Sequence, residues 1–177
     1  MLYFLFELMY YQIMEIELLG YSNEDVDQMI DVWNEIVETG IAFPQIEKLD
    51  KDTALKFFGE QSFTGIARSK DTKEVFGLYI LHPNNIGRCG HIGNASYCVK
   101  STARGLKLGE KLVTHSIEKC KELGFKILQF NAVVKTNQAA LCLYEKLGFT
   151  QLGVMPGGFL MKDGTYEDII PHYIKTE

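Results

Sequence analysis

Val99-Lys-Ser-Thr-Ala-Arg-Gly-Leu-Lys-Leu-Gly-Glu-Lys-Leu-Val-Thr-His-Ser-Ile-Glu-Lys-Cys-Lys-Glu-Leu123 is the stretch whose reading decides the fold. The run from His91 to Val99 feeds it and reads as a strand, and Lys100 to Ala103 make a short loop. Leu106, Gly109, Leu112, Val113, Ile117, Cys120 and Leu123 then recur at three- and four-residue steps, the period of one helix face. Lys107, Glu110, Lys111, Glu118, Lys119 and Glu122 fall on the other face, and Gly124 sits where a left-handed residue commonly ends a helix. The first turn of a helix leaves backbone N–H groups without partners and carries the positive end of the helix dipole. Gly105 and Gly109 strip bulk from that turn, and Arg104 adds a planar cation suited to phosphate. Two readings are open at this point: a pyrophosphate cradle, or an ordinary strand-to-helix connection.

Two familiar cradles do not fit. A Walker loop needs four residues between its glycines, then Lys and Ser or Thr, and Gly105 to Gly109 has neither. A dinucleotide fingerprint needs a third glycine and an acidic residue at the end of the next strand, where Asn131 stands instead.

Outward from this centre the elements alternate. Glu15 to Leu19 reads as a strand. Ser22 or Asn23 caps a helix with the stripe Val26, Met29, Ile30, Trp33 and Val37, ended by Gly40. A loop with Pro44 leads to a helix at about Asp52 to Phe58. Phe63 to Arg68 and Glu74 to His82 form a hairpin around Ser69 to Lys73, and Pro83 to Gly90 is a loop. Downstream come a strand (Lys126 to Val133), a helix (Gln138 to Leu147) and strands at Gln151 to Met155 and Glu167 to Ile174. The pattern predicts one mixed α/β (α+β) domain over 15–177. Its pairs are antiparallel at both ends, and strand-helix-strand makes a parallel core.

At 177 residues and 46% hydrophobic, the chain suffices for one core. A net charge of −5 with scattered Lys and Arg argues against a nucleic-acid surface. Cys89, Cys98, Cys120 and Cys142 form no Cys-x-x-Cys pair, which predicts a reduced, cytoplasmic protein. Cys89 and His91 lack a second ligand pair, so no metal is expected. Met1 to Met14 is apolar, with Glu7 its only charge. It lacks the basic start of a secretory signal and is too short to span a bilayer. It reads as a packing extension, an interfacial anchor, or a segment upstream of a start at Met14.

Arg104-Gly-Leu-Lys-Leu-Gly109, after a strand and opening a helix, resembles the acyl-CoA motif of the GNAT superfamily of N-acetyltransferases. Asn137-Gln-Ala-Ala-Leu-Cys-Leu-Tyr144-Glu-Lys-Leu-Gly-Phe149 resembles the same family's later helix. The order of elements matches from Glu15 to Ile174. The departure is Lys107, where the family usually has glycine. The resemblance implies a mostly antiparallel mixed sheet with flanking helices and a parallel pair that splays at its centre. It implies acetyl-CoA as co-substrate, held by Tyr97, Cys98, Val99, Arg104, Gly105, Leu106, Lys107, Leu108, Gly109, Glu110, Asn137 and Ala140. It implies Tyr144 as the acid that protonates the leaving thiolate; the tyrosine's place in an apolar stripe with Ala140, Leu143 and Leu147 also suits a core role. Relatives often carry a glutamate base on the central strand, and His91 to Val99 has no acid. Proton removal through ordered water is therefore expected, with Asn94 and Asn131 orienting the amine. His91 reads either as a base or as a structural histidine, and the two asparagines as orienting groups or as partners of the splayed backbone.

Asn94-Ala, Phe130-Asn131, Thr136-Asn137, His82-Pro83-Asn84 and Gly87-Arg88 are similar to yeast-type acetyltransferases that act on azetidine carboxylate and other proline analogues. That resemblance implies a small amino-acid-like amine as the substrate, and a homodimer is the assembly expected beside it. Acetylation of a protein N-terminus or lysine, and acyl-CoA binding without transfer, are the competing readings.

Overall fold

The computed structural model describes residues 15–103 and 105–177, so the expectations for Met1 to Met14 and for Arg104 lie outside the described residues. Nine strands and four helices run in the order β1 (Ile16–Gly20), α1 (Val26–Thr39), α2 (Lys51–Gly59), β2 (Phe63–Ser69), β3 (Val75–Pro83), β4 (Ile92–Val99), α3 (Leu108–Glu122), β5 (Ile127–Phe130), α4 (Gln138–Lys146), β6 (Thr150–Gln151), β7 (Met155–Leu160), β8 (Tyr166–Ile169) and β9 (His172–Lys175). Seven strands form one sheet in the order β1-β2-β3-β4-β5-β9-β6, while β7 and β8 pair separately. Among the described strands of this sheet only β4 and β5 are parallel neighbours.

The two helix pairs take opposite faces. On one face α1 buries Val26, Met29, Val32, Trp33, Ile36 and Val37 against Ile66, Leu78, Ile80 and Cys98. Trp33 is sealed by Phe43, Phe57 and Phe58 at ring separations of 4.4, 5.0 and 5.9 Å. The cap of α1 is Asp25 rather than Ser22 or Asn23. Its carboxylate accepts from the Ser22 amide at 2.8 Å and from Arg68 Nη1 at 3.0 Å, which draws the helix start toward β2. Asp50 and Thr53 form a reciprocal capping box on α2. On the other face α3 lays Leu112, Val113 and Cys120 over Ala67, Tyr79 and Leu81.

Three expectations about local structure are corrected. Helix α3 starts at Leu108, because Lys107 stands in a left-handed conformation (φ 57°, ψ 22°) and cannot continue a helix, so Leu106 belongs to the turn. The expected strand at Gln151 to Met155 is instead the two-residue β6, with β7 beginning at Met155. A register shift between Met155 and Phe159 hides the alternation of β7. The expected strand from Glu167 to Ile174 is two, β8 and β9, broken at Ile170 and Pro171, which has no N–H for a ladder.

Candidate functional site

Strand β4 is paired to β3 from Gly93 opposite Pro83 to Val99 opposite Gly77. Its pairing with β5 stops early: Ile92, Gly93 and Asn94 match Ile127, Leu128 and Gln129, and nothing beyond pairs. The strands fork at Asn94. From Ala95 to Val99 the edge facing β5 therefore presents backbone N–H and C=O groups without strand partners. The fork opens a cleft of about 1070 Å³ that reaches both faces of the sheet. Ile36, Thr39, Phe43, Gln61, His82, Asn94 and Ser96 line it on the α1 side, and Gly109, Val113, Asn137, Ala140, Leu143 and Tyr144 on the α3–α4 side.

The expected catalytic residues Asn94, Asn131 and Tyr144 meet in this cleft. Asn94 donates from Nδ2 to the Gln129 carbonyl at 2.9 Å, clamping the fork, and its Oδ1 has no partner among the described residues. Asn131 donates to Asn84 Oδ1 at 2.6 Å and accepts from Gln129 Nε2 at 2.9 Å. Both asparagines thus satisfy their neighbours as well as facing the cleft. The Tyr144 ring packs 4.6 Å from Phe130 and 5.4 Å from Phe149. Its hydroxyl has no hydrogen-bond partner among the described residues, and burial pushes the phenol far up, so it keeps its proton at neutral pH.

Of the residues expected to hold a cofactor, Tyr97, Cys98, Val99, Gly109, Asn137 and Ala140 line the cleft; Gly105, Leu106, Lys107, Leu108 and Glu110 lie outside its walls, on the approach and first turn of α3. The side chains of Tyr97 and Cys98 are turned away: Tyr97 Oη bonds Ser116 Oγ at 2.6 Å, and Cys98 is buried against Leu78. Only their backbone is available. Glu110 is tied to Lys146 at 2.6 Å, joining α3 to α4, and Asn137 caps α4 by accepting from the Ala140 amide at 3.3 Å. Gly105 has φ 86°, a conformation that favours glycine, and a Cβ there would meet nothing within 4 Å. His91, the alternative base, sits exposed in the turn before β4 and does not line the cleft. Among the described residues of the wall there is no Lys or Arg, and Glu60 is the sole carboxylate. His82 and Ser96 also line the cleft, although neither was expected as a site residue, and Asn84 reaches it only through its bond to Asn131. The alternation of β3 and β4 carried a signal for the first two, but only the register aligns them.

The model of the acetyltransferase (GNAT) family matches residues 26–149, a span that includes the fork, both helix starts and Tyr144. The chain belongs to the GNAT acetyltransferase family. The GNAT fold is equally plain in solved structures. A GCN5-related N-acetyltransferase from Kribbella flavida superposes with a TM-score of 0.83 at 27% identity, over 90% of this chain and 97% of that one. A GNAT superfamily phosphinothricin acetyltransferase from Sinorhizobium meliloti, in complex with AcCoA, gives 0.81 at 19% identity, over 92% and 89%. Among curated sequences, N-acetyltransferase aca1 of Schizosaccharomyces pombe is 28% identical over 153 residues, 78% of this chain and 72% of that protein. As a GNAT member the chain is an acyl-transferring enzyme. Among the described residues no helix is long and apolar enough to cross a membrane, and no group of three or more His, Cys, Asp or Glu is placed to hold a metal ion.

The left-handed Lys107 yields a prediction at the position where GNAT relatives usually have glycine. A left-handed non-glycine residue costs roughly 1–2 kcal/mol, and glycine's extra chain entropy returns roughly 0.5–1. Lys107→Gly should therefore raise unfolding stability by about 0.5 kcal/mol, read in a denaturant titration. Acetyl-CoA binding should weaken in the same variant and lose part of its salt dependence, because a lysine at a helix start attracts a polyanion. Calorimetric titrations at two ionic strengths check the second half.

Proposed function

We propose that the protein transfers the acetyl group of acetyl-CoA to the amine of a small, amino-acid-like acceptor. The fork at Asn94 carries this reading, because it joins the α3–α4 face to the α1 face through a single opening beside one unpartnered phenol. The residues present suit the cofactor: an unpaired strand edge at Ala95 to Val99, a bare glycine turn at Gly105, and Gly109 and Asn137 at the two helix starts. Acetyl-CoA supplies, when bound, a thioester whose carbonyl carbon accepts a nitrogen and whose sulfur leaves. A backbone N–H of the free β4 edge polarises that carbonyl as charge develops on it. Asn94 Oδ1 accepts a hydrogen bond from the amine and orients its lone pair. Tyr144 gives its proton to the departing sulfur, a contribution typically worth about 10²–10⁴ in rate.

The acceptor wall favours a small substrate of balanced charge. Its polar groups are amides and hydroxyls (Thr39, Asn94, Ser96, Asn131), with Glu60 as its one carboxylate. The resemblance to proline-analogue acetyltransferases at Asn94, Asn131 and Asn137 points to the same class. Calorimetry should show acetyl-CoA binding in the micromolar range, about −8 kcal/mol. A thiol-release assay across amino acids, cyclic imino acids, amines and N-terminal peptides should then select small amino acids. Preference for peptides would move the assignment to protein acetylation, and binding without release on any acceptor would leave an acyl-CoA-binding protein.

A further inference from the structure

A transfer that begins from an ammonium needs a group to take its proton, and β4 offers no acid between Ile92 and Val99. The strand beside it does carry a base. His82 on β3 is the register partner of Asn94, and residues directly opposite in an antiparallel pair project to the same face. Both line the cleft on the α1 side with Ser96. His82 Nδ1 lies 3.0 Å from the Pro83 carbonyl oxygen. A carbonyl only accepts, so Nδ1 carries a proton and donates it, which leaves Nε2 as the ring nitrogen placed to take one up. Nε2 has no partner among the described residues.

We propose that His82 is the general base of the reaction, its Nε2 taking a proton from the acceptor ammonium beside Asn94; this rests on the acetyl-transfer reading above. The other titratable groups of the described wall are poorly suited. Burial pushes the Tyr97 and Tyr144 phenols and the Cys98 thiol upward, so all three stay protonated. Glu60 is well exposed and lies 3.9 Å from Lys56. The step balances as follows. His82 removes one proton from the ammonium, and the freed nitrogen lone pair forms the C–N bond while the C–S bond breaks. The electron pair of that bond goes to sulfur, which takes the Tyr144 proton. The second amine proton and the one held by His82 pass to solvent, with one of them restoring Tyr144. The net products are the amide, the free thiol and one released proton.

His82→Asn is the test, because the asparagine amide can still donate to the Pro83 carbonyl but places nothing at the Nε2 position. At neutral pH kcat/KM for the acceptor should fall by about 10²–10⁴-fold, with acetyl-CoA affinity and Tm close to wild type. The deficit should shrink as pH rises, since the amine then loses its proton to bulk water. Nitrogen NMR of the labelled imidazole should show the proton on Nδ1. A folded His82→Asn protein with wild-type turnover and an unchanged pH profile overturns the base assignment alone. A wild-type protein that binds no acetyl-CoA and releases no thiol overturns the acetyl-transfer reading, and the base with it.

Discussion

Tyr144→Phe should lower turnover by about ten- to a thousandfold while leaving the fold intact. In the proposed role of acid, the phenol acts only when negative charge collects on sulfur, so its removal should act on kcat with little change in either Michaelis constant. Elsewhere in the molecule the oxygen does nothing that would be missed. It has no hydrogen-bond partner among the described residues, so phenylalanine strands no buried donor or acceptor. The ring contacts with Phe130 at 4.6 Å, Phe149 at 5.4 Å and His172 at 5.7 Å are all retained. Unfolding stability should therefore shift by less than about 0.5 kcal/mol. Turnover and thermal unfolding measured on one preparation decide the matter. Wild-type turnover with a good acceptor would remove Tyr144 from the chemistry and leave solvent to protonate the thiolate.

The second large effect is structural and lies at the other end of a row of rings. Gly65 on β2 sits beneath Tyr79, and a Cβ at position 65 would stand 2.3 Å from Tyr79 Cε1 and 2.7 Å from Cζ. Tyr79 has little room to yield. It is fully buried, and its hydroxyl bonds His115 Nδ1 at 2.9 Å. Its ring also packs 5.8 Å from Tyr97, which lies 5.5 Å from Phe130, the neighbour of Tyr144. Gly65→Ala should thus cost about 1–3 kcal/mol or more, the range for overpacking a filled core. Denaturant unfolding should show a lower midpoint at an unchanged slope. Adding Tyr79→Leu should recover part of the loss, because it removes the ring that the new methyl strikes. Two additive losses would show that the strain lies elsewhere.

Much of the fold was legible in local pattern. The stripe of α1, its stop at Gly40 (φ 65°), the hairpin of β2 and β3, and the strand-helix-strand through α3 are all written at the spacing of the elements that form. Chain order brings Gly109, Asn137 and Tyr144 to one side of the sheet, as the two motifs imply. Where the reading slipped, a local rule met a competing one. Leu106 keeps the helical spacing, yet the left-handed Lys107 places it outside α3. Gly157 and Gly158 blank the alternation of β7, and a Cβ on Gly158 would lie 2.5 Å from Ile169 Cγ1, so close packing rather than propensity selects it.

The sequence by itself thus determined the elements from β1 to α4, their order and the family, because periodicity and capping are properties of neighbouring residues. Tertiary structure alone decided that β4 and β5 part after Asn94, that Asn131 reaches Asn84, and that His82 stands opposite Asn94. Register and splay depend on which distant residues pair. A shift of one residue would turn His82 to the other face without altering any local pattern. The chemistry proposed for the cleft rests on that pairing, made between strands whose own sequences do not record it.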